Sequence, residues 1–282
     1  MSEEERAKIA GLQREIAELT ARVEVRDGRI TELVGEALDR DTELRDLQAM
    51  RDVLAPADLP VRPGIDFECA FAPSVDGVAG DFYLVAPGPD EDSTVLAVGD
   101  VSGKGIEAAR RATFVRTSLA TFAAFVDDPC QLLEFSNQVL VERTGISSTF
   151  VTALVAVVHP REGRLSWASA GHPPPLRLDT GETLEGGRTA PPLGVTTGLR
   201  CDPGEAKLDP GAGLLLYTDG VTEAHRPRRE FFGEHRLTAL LRAQADSDPA
   251  AVVRRLVSDL YAHVGDEMSD DLCIVAARVQ PT

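Results

Sequence analysis

"GDVSGKGIEAARRA", residues 99–112, follows the apolar run "STVLAV" (93–98) and combines glycines, a lysine and the start of a helical pattern. That layout invites a nucleotide-phosphate cradle, and the spacing decides against one. A P-loop places four residues between its first glycine and the Gly-Lys pair and follows them with Ser or Thr. Here three residues separate Gly99 from Gly103, and Gly105 follows Lys104. Asp100 also stands at the exit of the strand, where its charge would repel a bound phosphate unless a metal ion lay between them. The loop therefore asks for a metal, and the rest of the chain must supply further oxygen ligands.

Composition narrows the partners. The chain has 282 residues, a formal net charge of −17 and 43% hydrophobic residues. Nucleic acid and anionic membrane both reward basic surface, so neither is expected as the main partner. No apolar stretch approaches the roughly 20 residues of a membrane span. The start "MSEEERAKIA" lacks the basic and apolar regions of a signal peptide, so a cytoplasmic protein is expected. The cysteines at 69, 130, 201 and 273 form no CxxC pair, and none has the arginine spacing of a cysteine-based phosphatase loop. Cys69 and Cys273 lie in strand-like runs as small core residues, and reduced thiols are expected.

Residues 1–55 differ from the remainder. Ile9, Ile16, Val23, Ile30, Ala37 and Leu44 fall at one position of a seven-residue frame, with Leu12, Leu19, Leu33, Leu47 and Leu54 at another. Arg26, Arg40 and Arg51 interrupt it. A frame held this long specifies a coiled coil, and β-branched residues facing leucines favour a parallel homodimer. The bland alternative is a single helix packed on its own domain. "APADLPVRPG" (55–64) ends the helix, giving a linker at 56–65 and a second domain at 66–282.

That domain reads as short strands: "FECAFA", "FYLVA", "STVLAVGDV", "FVTALVAVV", "RLSWASA", "LLLYTDGV" and "DLCIVAARV". Helical segments are expected near 104–126, 130–143, 235–244 and 249–263. Strands in runs joined by hairpin-like turns imply an α+β fold, antiparallel sheets with helices outside them. Asp81, Asp100, Asp219 and the pair Asp270–Asp271 each stand where an apolar strand meets a glycine or polar residue. Singly, an aspartate beside glycine is a turn former. Together, at strand ends of one packed domain, they can converge, and an oxygen-only cluster suits Mg²⁺ or Mn²⁺ rather than Zn²⁺.

The ordered motifs "VAGDFY", "VGDVSGKG", "FVTALVAVV", "SAGHPPPL", "PPLGV", "YTDGVTEA", "FFGEHRL" and "SDDLCIVAA" resemble the metal-dependent protein phosphatases (PPM), in their bacterial SpoIIE-type branch. The resemblance runs from about Asp66 to Val279. It implies an antiparallel β-sandwich flanked by helices in αββα order, with the coiled coil ahead of it. It also implies two Mn²⁺ or Mg²⁺ ions and the catalytic residues Asp100 and Asp219. Asp100 would bridge both ions, helped by the backbone carbonyl of Val101. Asp81 would support one ion, Asp219 and Asp270 would complete the other sphere, and Asp271 would hold the strand end. Two ions about 4 Å apart activate a water and neutralise phosphate oxygens, so phosphoserine or phosphothreonine would be hydrolysed without a cysteine nucleophile. By the same resemblance the substrate is a phosphorylated STAS-type anti-anti-sigma protein in partner switching, with an activator acting on the coiled coil.

Other residues carry plainer readings. His172 is expected in a turn and packing role, Glu223 as a structural hydrogen-bonder and Trp167 in the core. Arg110 and Arg111 are expected on a charged helix face, and Lys104 reads equally as solvated or as a phosphate contact. Leu84 departs from the family, which commonly has a second aspartate there. The rival to an enzyme is a catalytically weak pseudophosphatase scaffold, against which the retained aspartates speak.

Overall fold

The computed structural model describes residues 59–72, 80–225, 230–265 and 270–281, with Arg29, Val34 and Arg45 as single helical positions before them. The chain divides into the units Met1–Ala49 and Met50–Thr282. The seven-residue frame and its dimer seam lie outside the described residues.

In the second unit the elements run β1 (Ile65–Ala72), β2 (Phe82–Pro87), β3 (Thr94–Val101), α1 (Ile106–Ala123), α2 (Pro129–Thr144), β4 (Val151–His159) and β5 (Arg164–Ala170). They continue with β6 (Leu176–Arg177), β7 (Gly204–Lys207), β8 (Gly213–Tyr217), α3 (Asp219–Thr222), α4 (Gly233–Ala243), α5 (Pro249–Val264) and β9 (Leu272–Val279). The strands form two sheets, ordered β1-β9-β8-β6 and β2-β3-β4-β5-β7. Every strand pairing within them is antiparallel.

Three hydrophobic layers hold four layers of structure together. Leu96, Val98, Leu154, Ala156 and Val158 from one sheet pack between the sheets against Leu214, Leu216, Cys273 and Val275 from the other. On the opposite face of the first sheet, Val95, Ala97, Val155 and Val157 meet Ala112, Val115 and Leu119 of α1 and Leu132, Leu133 and Leu140 of α2. Leu215, Tyr217, Ile274 and Ala276 meet Leu237 of α4 and Val252, Leu256 and Leu260 of α5. The order helices–sheet–sheet–helices is the expected αββα sandwich. It also explains why the strand sequences are continuously apolar: with both faces covered, alternation disappears.

The helix starts follow from capping chemistry. Asp128 accepts from the N–H groups of Cys130 (2.8 Å) and Gln131 (3.2 Å), with Pro129 at the first position of α2. Asp248 accepts from Ala251 N–H at 2.6 Å, with Pro249 starting α5. Each motif satisfies donors that a helix N-terminus leaves unpaired. Trp167 is buried between the sheets as expected. A Cβ on Gly204 of the neighbouring strand would lie 2.3 Å from its ring, so only glycine fits there.

Three expectations need correcting. The run "LLLYTDGV" is not a strand throughout, because α3 begins at Asp219 and turns the chain immediately after β8. The short strands β6 and β7 lie in segments too brief and polar to stand out by alternation. Cys130 and Cys201 are joined as a disulfide, against the expectation of reduced thiols, while Cys69 and Cys273 are free. The fold brings residues 71 positions apart to a Cα separation of 5.9 Å, which sequence spacing does not reveal.

Replacing Asp128 with alanine strands the first N–H groups of α2 and is expected to cost about 1 kcal/mol, measured as a lower urea midpoint with unchanged slope.

Candidate active site

Strand parity aims the aspartates. In β3, Leu96 and Val98 face the gap between the sheets, so the alternation places Asp100 on that side too. In β2, Phe82 and Leu84 face the helices while Tyr83 faces the gap, which puts Asp81 on the gap side. In the other sheet Leu214 and Leu216 predict the same for Thr218, and Cys273 and Val275 predict it for Asp271. β3 faces β8 and β9 across the sandwich. The strand ends therefore bring these side chains to one mouth of the inter-sheet layer. Leu84, at the position where the family commonly has an acid, is buried in the helix-side core.

Hydrogen bonds fix the cluster from behind. Thr218 Oγ1 donates to Asp81 Oδ2 at 2.6 Å and accepts from Cys273 N–H at 3.1 Å. Asp271 Oδ2 accepts from Gly80 N–H at 2.8 Å, so Asp271 holds the entry to β2. Asp270 is exposed and its Oδ1 accepts from Asp271 N–H at 3.0 Å. A Cβ on Gly80 would stand 3.0 Å from the Val101 carbonyl oxygen and 3.3 Å from Asp100 Oδ1. A Cβ on Gly220 would strike the Asp271 carbonyl oxygen at 1.8 Å. The two glycines thus permit the close approach on which the cluster depends.

The electrostatics are those of crowded acids. Burial, followed by the charge of Asp100, raises Asp81 well above the ordinary carboxylate range. Burial and the charge of Asp219 push Asp100 up to about 6. Asp219 is raised by burial, then by Asp270 and Glu223. This donor set fits a hard divalent cation: several carboxylates and a carbonyl, no imidazole or thiolate, and a repulsion that positive charge relieves.

His172 joins the two halves of this mouth. It is buried, with Nε2 3.0 Å from the Tyr217 carbonyl oxygen and Nδ1 2.9 Å from Thr152 Oγ1. A carbonyl only accepts, so Nε2 carries the proton and Nδ1 accepts from the threonine. Tyr217 lies two residues before Asp219, and Thr152 pairs with Asp100 across β3 and β4. The expected turn-and-packing histidine is therefore a strut between the strands that carry Asp100 and Asp219. Burial lowers its pKa to about 4.

The remaining candidates divide. Glu223 has an exposed side chain and bonds through its backbone N–H to the Asp219 carbonyl at 2.7 Å, so its structural hydrogen bond is not a side-chain one. Arg110 pairs with Glu107 on the exposed face of α1. Arg111 is turned inward, donating to the Thr149 carbonyl at 2.9 Å. Lys104 is exposed on the loop. Thr218 was missed by sequence reasoning; its only signal is its place between a buried strand and Asp219.

A helix-flanked antiparallel sandwich with aspartates at one mouth is the PP2C-like fold. The family model for stage II sporulation protein E (SpoIIE) matches residues 90–280, and the chain belongs to that family. It is similar to protein IcfG of Synechocystis sp., 27% identical over 262 residues that cover 83% of this chain and 41% of IcfG. It is also similar to the phosphoserine phosphatase RsbU of Bacillus subtilis, 25% identical over 233 residues, 81% of this chain and 68% of RsbU. The chain thus spans less than half the length of the first of these relatives. The SiaA-PP2C domain of Pseudomonas aeruginosa has the same fold, with TM-score 0.72 and 22% identity over 87% of this chain and 99% of that one.

Two outcomes follow from these shifts. In chelator at pH 7, Asp100→Asn removes a repelled charge and is expected to stabilise the protein by about 1–2 kcal/mol in urea unfolding. His172 behaves oppositely. Its folded pKa lies below the unfolded value, so its contribution is complete above pH 6.5 and is lost as pH falls toward 4. The loss amounts to about 3 kcal/mol in all, and His172→Gln should flatten that part of the stability profile relative to wild type.

Proposed function

We propose that this chain is a Mn²⁺- or Mg²⁺-dependent protein phosphatase that hydrolyses phosphoserine and phosphothreonine. The observation that carries the reading is the convergence of Asp81, Asp100 and Asp219 at one mouth of the sandwich, within electrostatic reach of Asp270 and Asp271. Membership of the SpoIIE family and similarity to a phosphoserine phosphatase support it.

In this reading Asp100 would hold both ions with the Val101 carbonyl as a further ligand to one, Asp81 would support one, and Asp219 with Asp270 would hold the other. Ions in such a site activate water and neutralise phosphate oxygens. The chain's own residues supply the positioning. Thr218 fixes the Asp81 carboxylate, Asp271 pins the backbone at Gly80, and His172 sets the spacing of the strands that carry Asp100 and Asp219. Gly103 and Gly105, both at positive φ, supply the backbone conformation with which the chain leaves β3 and enters α1.

The substrate in this proposal is a phosphorylated STAS-type anti-anti-sigma protein of a partner-switching pathway in the cytoplasm. Residues 1–55 would dimerise the protein as a parallel coiled coil and receive an activator, with 56–65 as linker and 66–282 as phosphatase domain. No helix among the described residues is long and apolar enough to cross a membrane.

Phosphate release from a phosphoserine protein should require Mn²⁺ or Mg²⁺, stop with chelator and fall by roughly 10²–10³ or more in Asp100→Asn. Turnover that survives chelator, or that Asp100→Asn leaves intact, would remove the assignment.

A further inference from the structure

The opposite end of the first sheet holds a different group of side chains. β4 ends in His159, the turn between α1 and α2 carries Asp127, and the β2–β3 hairpin carries Asp90. One donor atom from each lies within 4.8 Å of the others. β3 and β4 run antiparallel between this end and the mouth that contains Asp100, so roughly 20 Å of strand separates the two places.

His159 is the unusual member. It lies on the helix-covered side of the sheet, in phase with Val155 and Val157, and its side chain is only 2% exposed. Its Nε2 makes no hydrogen bond among the described residues. An orphaned buried imidazole nitrogen costs free energy unless something meets it. Asp127 Oδ2 stands 3.5 Å from that nitrogen, too far for a good hydrogen bond. It is a natural separation for two ligands of one ion, because donors about 2.0–2.1 Å from a tetrahedral centre lie roughly 3.4 Å from each other.

The neighbours leave the carboxylates available. Among the described residues the Asp90 side chain makes no hydrogen bond. The hairpin is closed instead by its backbone, whose carbonyl accepts from Ser93 N–H at 3.2 Å and Ser93 Oγ at 3.1 Å. Arg164 reaches Asp127 only at 3.9 Å, while its Nε bonds Glu162 at 2.9 Å. Asp90 is exposed and Asp127 half-buried, so the nitrogen can be approached from solvent past the two acids.

We propose that Asp90, Asp127 and His159 form a second divalent-cation site, distinct from the aspartate mouth and of the Zn²⁺ class. One imidazole with two carboxylates suits Zn²⁺ over Mg²⁺ or Ca²⁺, which prefer oxygen alone, and it leaves a fourth position for water. An ion held here clips the β2–β3 hairpin and the α1–α2 turn to the end of β4. It closes the end of the sheet opposite the phosphate chemistry and does not depend on that chemistry.

The test is Zn²⁺ binding to the full chain in excess Mg²⁺, which fills oxygen-only sites, with Co²⁺ absorption as a second readout. Wild type should retain a Zn²⁺ that Mg²⁺ does not displace, and Co²⁺ should give the intense visible bands of a four-coordinate ion. His159→Gln and Asp90→Asn should each weaken that Zn²⁺ by about 100-fold or more, with Mn²⁺-dependent turnover unchanged. Asp90 is exposed in a turn, so its variant tests the site even if His159→Gln unfolds the protein. Zn²⁺ fully displaced by Mg²⁺, or binding equal in wild type and Asp90→Asn, would overturn the proposal.

Discussion

The repulsion among carboxylates at the sandwich mouth is the constraint on which the rest of the molecule turns. The carboxyl pKa values of Asp81, Asp100 and Asp219 are all raised, with burial as the largest cause and neighbouring acids next. A chain free to relax would let them separate, and the surroundings prevent it. Two sheets locked by an apolar inter-sheet layer fix the strand ends, and Thr218, Asp271 and His172 bond the ends of those strands to one another. The fold gives up part of its stability to keep negative charge concentrated at this mouth.

Much of this was legible because strand parity is a strong code. The apolar runs at 93–101, 150–158 and 271–279 located β3, β4 and β9 to within a residue or two, and an aspartate at a strand's end inherits the facing of the residues before it. Asp81, Asp100, Asp219 and Asp270–Asp271 were nominated from sequence as aspartates where an apolar strand meets a glycine or polar residue, and the loop after Asp100 could be separated from a nucleotide cradle by counting. The helical segments expected near 104–126, 130–143, 235–244 and 249–263 correspond to α1, α2, α4 and α5, of which α2 and α5 open on Asp-Pro.

What escaped is set by contacts distant in sequence. Thr218 matters because Asp81, 137 positions away, lies 2.6 Å from its hydroxyl, and no local pattern encodes that meeting. His172 looked like a turn residue until both ring nitrogens were seen to bridge two sheets. The Cys130–Cys201 link joins the first turn of α2 to the segment before β7, and neither cysteine sits in a motif. The α3 turn was hidden because "YTDGV" continues an apolar strand in sequence while Gly220 packs its backbone on Asp271. His159 belongs to the same group: its sequence context is simply the last residue of a buried strand.

The central claim is that the aspartate mouth exists to hold a pair of cations. Anomalous diffraction from crystals of the full chain grown with Mn²⁺ tests it most directly. The account predicts two Mn²⁺ peaks about 4 Å apart among Asp81, Asp100, Asp219 and Asp270, with one of them also at the Val101 carbonyl. An ordered mouth without Mn²⁺, or Mn²⁺ bound only elsewhere on the chain, would contradict it.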